Sequence, residues 1–185
     1  MTDSLLEKAR PHSQWLARQL DHRRLDLARL DDWLPRPLTP EDFAAFADWQ
    51  RILSDEDEAE LARQLRLLRR HVMAHIMTRD LCRVSDLAEV TRTITELADF
   101  AANTALSFSH QYYEGMYGTP VGAYSQQPQH LAIVAMGKAG GFELNVSSDL
   151  DLIFVYPENG STNGKRERTN QEFFTIVGQK LIALL

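Results

Sequence analysis

Residues 129–157 read QHLAIVAMGKAGGFELNVSSDLDLIFVYP, and the interpretation of the whole chain works outward from this stretch. An apolar run at 131–136 leads into three glycines within the five residues 137–141. A polar turn follows, and then Asp149 and Asp151 open a second apolar run. Apolar runs of this length, bounded by glycine and polar residues, predict a strand, a glycine-rich turn with a short helix, and a second strand.

The two aspartates are candidate metal ligands. Alternate residues of a strand point to the same face, so Asp149 and Asp151 are predicted to project together, roughly 6–7 Å apart. Carboxylates at this spacing repel each other unless a cation lies between them. Mg²⁺ binds through one or two carboxylates plus substrate phosphates, and paired metals stabilise both oxygens of a phosphoryl displacement. The alternative is a pair of solvated residues at the start of a strand.

The glycines complement the carboxylates, because they let the backbone approach a ligand and a helix start offers free N–H groups to phosphate. Lys138 and Ser148 add possible side-chain donors. An ordinary turn is the alternative. Two common phosphate motifs are absent here: Lys138 is followed by Ala139 rather than Ser or Thr, and no G-x-G-x-x-G is present.

The segment GKAGGFELNVSSDLDLIFVYPENG, residues 137–160, resembles the nucleotidyltransferase core of the bifunctional glutamine synthetase adenylyltransferase/adenylyl-removing enzymes. The usual form in that family is close to GMGKLGG-x-ELN-x-SSDIDLIF. More widely, a glycine pair followed by D-x-D resembles the DNA polymerase β-type nucleotidyltransferase superfamily. The resemblance continues through residues 173–185 and reaches back to residues 65–81. Ala139 and Phe142 depart from the usual residues, but neither position carries carboxylate chemistry.

The resemblance implies roles for the core residues. It makes Asp149 and Asp151 the catalytic ligands of Mg²⁺ or Mn²⁺. It assigns phosphate or nucleotide binding to a second set of residues, which are Lys138, Gly140, Gly141 and Ser148.

The family has two related catalytic halves, one adding AMP from ATP to a tyrosine of glutamine synthetase and one removing it. The helical segments before the core and the start at Met1 favour the adenylyl-removing half. Its reaction is phosphorolysis of the AMP–tyrosine bond, with phosphate as co-substrate and ADP as product, which regulates nitrogen assimilation. The implied protein partners are adenylylated glutamine synthetase and the PII signal protein. Three alternatives stay open: the adenylylating half, another nucleotidyltransferase of the superfamily, and a truncated module that only binds protein.

The expected fold class is α+β, with an α-helical region at 1–125 and the start of a polymerase β-type nucleotidyltransferase core at 126–185. Only two strands are predicted, which is too few for an independently stable sheet. The resemblance places a third carboxylate beyond residue 185. The chain is therefore expected to be a fragment with negligible activity by itself.

Composition narrows the class of protein. The chain has 44% hydrophobic and 25% charged residues and a net charge of −6, which disfavours a general nucleic-acid binder. The single Cys82 excludes an internal disulfide framework. Neither a membrane span nor a secretory signal is recognisable, so a cytoplasmic location is expected.

Apolar periodicity predicts helices at 4–34, with a reset at Pro11, and from Pro40 to about residue 52. Further helices are predicted at 55–80, 86–116 and 170–185. The predicted caps are Thr39 before Pro40, Asp86 with Glu89 in a capping box, and Asn170.

Two features of the 55–80 helix have both a functional and a structural interpretation. Its basic run, Arg63, Arg66, Arg69 and Arg70, suits an acidic partner, but a solvated helix face is the favoured interpretation. His71 and His75 have a spacing that a metal could use. Without a third ligand in view, they are predicted to be surface or packed histidines.

Overall fold

Helices account for about 60% of the chain. The computed structural model describes residues 2–185, with side chains from residue 5 onward. The helices of this part are α1 Thr2–Ala9, α2 Gln14–Asp21, α3 Leu27–Trp33, α4 Pro40–Ala44, α5 Trp49–Ser54, α6 Glu58–Leu81, α7 Leu87–Tyr117, α8 Gly137–Gly140 and α9 Asn170–Leu184. The strands are β1 Pro120–Gly122, β2 Ala132–Ala135, β3 Leu152–Val155 and β4 Gly160–Thr162.

The long helices α6 and α7 agree with their predicted spans and supply much of the core. Leu61, Leu65, Leu68 and Val72 recur along α6 at helical spacing and are all buried. They form one apolar cluster with residues of α4, α5, α7 and α9. The last helix, α9, packs mainly against α7.

The helical region predicted at 4–34 is divided at two places, and the sequence predicted only the one at Pro11. A 3₁₀ turn at Arg10–His12 interrupts it near Pro11, as the proline suggested, and α2 begins where the hydroxyl of Ser13 accepts a hydrogen bond from Leu16 N–H. A second break separates α2 from α3, with Arg23 in the left-handed region at φ 51°. The side chain of Asp26 then caps α3.

The predicted helix from Pro40 to residue 52 also consists of two pieces. It begins as predicted, since Thr39 N–H donates to the Asp42 carboxylate at 2.9 Å and Pro40 occupies the first turn. It stops after Ala44, and Asp48 caps α5 as a separate short helix. Local capping by aspartate therefore divides a segment that the apolar pattern alone joins.

Two of the predicted caps differ in detail. Asp86 caps α7 by accepting from Glu89 N–H at 2.7 Å, but the Glu89 side chain turns to Arg79 instead of completing a capping box. The cap of α9 is Thr169 and not Asn170, because Thr169 and Glu172 form the box. The Asn170 amide instead donates to the carbonyl oxygens of Val121 and Glu158.

The strands form two small antiparallel sheets, which confirms the α+β class with an incomplete sheet. Strands β2 and β3 pair with Val134 opposite Ile153. Strands β1 and β4 pair with Val121 opposite Ser161. The second pair lies outside the segments for which the sequence predicts a helix or a strand. Each of its strands has only three residues, so no alternating pattern marks it in the sequence.

The β2–β3 sheet has one covered and one open face. Ile133 and Phe154 point inward and pack against the helical core. Val134, Ile153 and Val155 point outward and stay exposed.

No helix within residues 2–185 is long and apolar enough to cross a membrane. The division at residues 125 and 126 stays a prediction.

Candidate functional site

The predicted strand–turn–strand unit is present as β2, α8 and β3. The N–H of Met136 donates a hydrogen bond to the carbonyl oxygen of Asp151 at 2.9 Å, which extends the β2–β3 pairing beyond the strands. Gly137 follows with φ 56°, in the left-handed region that favours glycine. A Cβ atom at Gly137 would lie 3.5 Å from Asp151 Oδ2. The glycine turn and the Asp151 carboxylate are therefore immediate neighbours.

Gly140 and Gly141 differ in whether packing within the turn requires a glycine. A Cβ atom at Gly140 would lie 2.5 Å from the carbonyl oxygen of Ala135, so the turn packs directly on the end of β2. A Cβ atom at Gly141 would meet nothing closer than Gly137 O at 3.5 Å, an ordinary contact. Packing explains Gly140, whereas no contact within the turn explains Gly141.

A tight polar turn sets the direction of the chain before the aspartates. Asn145 N–H donates to the hydroxyl of Ser148 at 3.0 Å, and Ser148 N–H donates to the Asn145 carbonyl at 3.1 Å. The Asn145 side-chain oxygen accepts from Ser147 N–H at 3.0 Å. The Ser148 hydroxyl keeps its own proton available as a donor to a ligand.

Asp149 and Asp151 are both exposed. Strand β3 begins at Leu152, so the prediction that both aspartates lie on this strand is wrong. Asp151 directly precedes the strand, and Asp149 lies two residues earlier. The ion pairs among the described residues use other carboxylates, those of Glu7, Asp21, Asp26, Asp32, Asp42, Asp48, Asp55, Glu58, Glu60, Glu89 and Glu114. Both aspartates are thus free to bind a ligand.

The donor chemistry of this pair fits a divalent metal, since carboxylate oxygens are the ligands that Mg²⁺ and Mn²⁺ prefer. Within residues 2–185, no group of three His, Cys, Asp or Glu side chains is arranged to hold a metal ion. Asp149 and Asp151 would therefore supply two protein ligands, and substrate, water or another part of the protein would supply the rest.

A groove of about 730 Å³ runs between α6, α7 and the loop that carries Asp149. Its lining includes Ser148 and Asp149 of the loop and Arg66, Arg69 and Arg70 of α6. Asp151 and Lys138 are not among the lining residues. Lys138 is exposed on α8.

Among the predicted site residues, Asp151 thus lies beside the glycine turn, and Ser148 and Asp149 lie beside the groove. Sequence reasoning left Gly137 without a specific role, although its place directly after a predicted strand was a usable signal. It also interpreted the arginine run of α6 as solvated, and only the tertiary packing places three of those arginines in the same groove as Asp149.

Comparison with known sequences identifies the family. The profile described as glutamate-ammonia ligase adenylyltransferase matches residues 4–185. The chain therefore belongs to the glutamate-ammonia ligase adenylyltransferase family.

Three individual relatives support this family assignment. The chain is 64% identical over 185 residues to the bifunctional glutamine synthetase adenylyltransferase/adenylyl-removing enzyme of Neisseria meningitidis serogroup A, covering 100% of the chain and 21% of that protein. It is 46% identical over 184 residues to the protein of the same name from Chromobacterium violaceum, covering 100% of the chain and 20% of the relative. It is also 46% identical over 184 residues to the protein of the same name from Nitrosomonas europaea, covering 98% of the chain and 20% of the relative. The chain spans about a fifth of the length of these relatives.

Proposed function

We propose that this chain forms part of the adenylyl-removing half of a bifunctional enzyme that acts on glutamine synthetase. The reaction is phosphorolysis of the AMP–tyrosine bond, which yields ADP and restores the free tyrosine. The observation that carries the proposal is the pair of free, exposed carboxylates, Asp149 and Asp151, beside a glycine turn in a member of this family.

In this reaction an oxygen of inorganic phosphate forms a bond to the phosphorus of the adenylyl group. The bond between that phosphorus and the tyrosine oxygen breaks, and the phenolate takes up a proton. Negative charge builds up on the phosphoryl oxygens, and a divalent metal supplies the compensating positive charge when bound.

The residues of the chain have separate tasks. Asp149 and Asp151 hold the metal. The Ser148 hydroxyl orients phosphate oxygens, and Lys138 adds a positive charge at the turn. The N–H groups of Gly140 and Gly141 already donate to Met136 O and Gly137 O, so Gly140 shapes the turn and Gly141 leaves space for phosphate to approach it. Adenylylated glutamine synthetase is the protein substrate, and the PII signal protein is the proposed regulator. Remaining carboxylate and sheet elements come from the parts of the enzyme outside these 185 residues.

The test uses the full-length protein with Asp149→Asn and Asp151→Asn, assayed in both directions. We expect each variant to lose phosphate-dependent ADP release from adenylylated glutamine synthetase by at least about 100-fold, a size typical for loss of a group that stabilises transition-state charge. Transfer of AMP from ATP to unmodified glutamine synthetase should persist. The matched control is Asp31→Asn, an exposed carboxylate on α3 outside the groove.

Measuring AMP removal and AMP addition separately distinguishes the adenylyl-removing half from the alternatives. Loss of AMP addition with intact removal would assign the chain to the adenylylating half and contradict the proposal. Full activity of both variants in both directions would favour the non-catalytic binding module.

A further inference from the structure

Ser147 and Ser148 are consecutive in the turn before the aspartates, but their hydroxyl groups have different partners. The Ser147 hydroxyl donates to the side-chain oxygen of Asn145 at 3.1 Å, so its proton is used within the turn. The Ser148 hydroxyl instead accepts from Asn145 N–H at 3.0 Å. A hydroxyl has one proton and two acceptor lone pairs, so Ser148 keeps its proton for a group outside the turn. Asn145 therefore distinguishes a serine that is occupied within the turn from one that can donate to a ligand.

Asn145 closes this turn with both its backbone and its side chain. Its carbonyl oxygen accepts from Ser148 N–H at 3.1 Å, and its Oδ1 atom accepts from Ser147 N–H at 3.0 Å. Asparagine is favoured at the first position of such turns because its side chain accepts from the backbone two residues further on. The direction of Ser148 is thus set by contacts that all lead back to Asn145.

Leu144 connects the turn to the helical core. Its side chain is only 2% exposed and packs in an apolar cluster with residues of α6 and α7, which are Ile76, Val90 and Ile94. At the other end of the loop, the hydrogen bond from Met136 N–H to the Asp151 carbonyl oxygen holds the chain beside β2. Because both ends of the loop are fixed, the direction of the Ser148 hydroxyl depends on the turn between them.

We propose that Asn145 is a positioning residue that holds the Ser148 hydroxyl as a donor to an oxygen of the attacking phosphate. The inference deepens the proposed function and rests on it. Asn145 and Ser148 line the same groove as Asp149, and both are half-buried. A donor that is already oriented binds phosphate without the cost of ordering it, and a small displacement of such a group slows a reaction strongly.

The first measurement is the KM for phosphate in ADP release from adenylylated glutamine synthetase by the full-length protein. Ser148→Ala should raise this KM at least about 10-fold, the size expected for loss of a hydrogen bond to a charged group. Asn145→Ala loosens the turn and should raise it roughly 5-fold. Ser147→Ala leaves the bond from its N–H to Asn145 in place and should change the KM less than about 2-fold.

Two further variants separate positioning from folding. In Asn145→Ser the hydroxyl can accept from the Ser147 N–H without adding a charge, so the KM for phosphate should return to within about 2-fold of the wild type. Asn103→Ala removes an asparagine from an exposed position of α7 outside the groove and should leave the KM unchanged. A variant that merely folds less well lowers kcat through its active fraction and does not raise the KM.

Hydrogen exchange of the peptide that contains residues 144–150 observes the turn without any activity measurement. The amides of Ser147 and Ser148 should exchange roughly 5-fold faster in Asn145→Ala, as loss of an ordinary hydrogen bond predicts. Asn145→Ser should restore slow exchange. If it does so while its KM for phosphate stays as high as in Asn145→Ala, the inference is overturned. A wild-type KM in Asn145→Ala, or equal effects of Ser147→Ala and Ser148→Ala, would also overturn it.

The inference and the proposed function fail separately. If Asn145→Ala raises the KM for ATP in AMP addition and leaves AMP removal unchanged, the proposed function fails, whereas the positioning of Ser148 stands with a phosphate of ATP as its ligand. If ADP release depends on Asp149 and Asp151 but the KM for phosphate is unchanged in Asn145→Ala, the positioning role fails and the proposed function stands.

Discussion

The guanidinium group of Arg79 donates two hydrogen bonds to the carboxylate of Glu89, from Nε to Oε1 at 2.6 Å and from Nη2 to Oε2 at 3.0 Å. Both side chains are buried, and Arg79 also donates to the carbonyl oxygen of Leu34 at 2.8 Å. The pair joins the end of α6 to the start of α7, and both helices line the groove.

Glu89→Gln should therefore destabilise the helical core. Removing one partner of a buried ion pair leaves the other charge uncompensated and typically costs about 3–5 kcal/mol. The measurement is the free energy of opening of α6 and α7, obtained from hydrogen exchange of their backbone amides. The control is Asp55→Asn, which breaks the exposed pair of Arg51 and Asp55 and should cost less than about 1 kcal/mol. Similar costs for the two variants would contradict a special role for the buried pair.

His75 makes the stability of the core depend on pH. Its ring is fully buried, with Nε2 at 3.1 Å from Trp33 O and 3.0 Å from Arg36 O, and burial lowers its pKa to about 4. An unfolded histidine has a pKa of about 6.5, so between these values the unfolded chain binds the proton and the folded chain does not. Stability is complete above pH 6.5 and falls as the pH is lowered towards 4, by roughly 3 kcal/mol for this residue.

Hydrogen exchange of α6, corrected for the intrinsic effect of pH, measures this loss. His75→Gln should flatten the dependence, and His12→Gln, at an exposed position, should leave it unchanged. His71 contributes in the same direction, since burial lowers its pKa and its Nε2 accepts from Asp26 N–H at 2.8 Å. An unaltered pH profile in His75→Gln would contradict the assignment.

The glycine turn offers a matched pair of substitutions. Gly140→Ala brings a Cβ atom to 2.5 Å from Ala135 O, so the backbone must shift, at a cost of about 1–3 kcal/mol. Gly141→Ala meets only ordinary contacts and should fold like the wild type. We expect faster hydrogen exchange of the β2 and β3 amides in Gly140→Ala alone. If Gly141→Ala folds normally but loses ADP release, a close approach of ligand to Gly141 is indicated.

How far the sequence predicts the fold differs from element to element. Helices α6 and α7 were predictable because their apolar residues recur at helical spacing over many turns. The breaks at residues 22–26 and 45–48 were not, since aspartates that cap new helices look like ordinary polar residues within an apolar stripe. The packed histidines of α6 were predicted as packed or surface residues, and both are buried.

The candidate site likewise has one part that the sequence predicts and one part that it does not. The unit β2–α8–β3 follows from local sequence, because apolar runs and glycines determine it over a short span. The groove does not, because it brings together residues 15–24, 65–77 and 144–150 through tertiary packing. A run of arginines on a helix does not indicate which other segments of the chain will line a groove together with it.

The most direct test of the account is the Asp151→Asn variant of the full-length protein, with phosphate-dependent ADP release from adenylylated glutamine synthetase as the measurement. Asp151 is exposed, so the fold should be unaffected and the hydrogen exchange of β3 should match the wild type. The account predicts that ADP release falls at least about 100-fold while transfer of AMP from ATP continues. ADP release at the wild-type rate would contradict it.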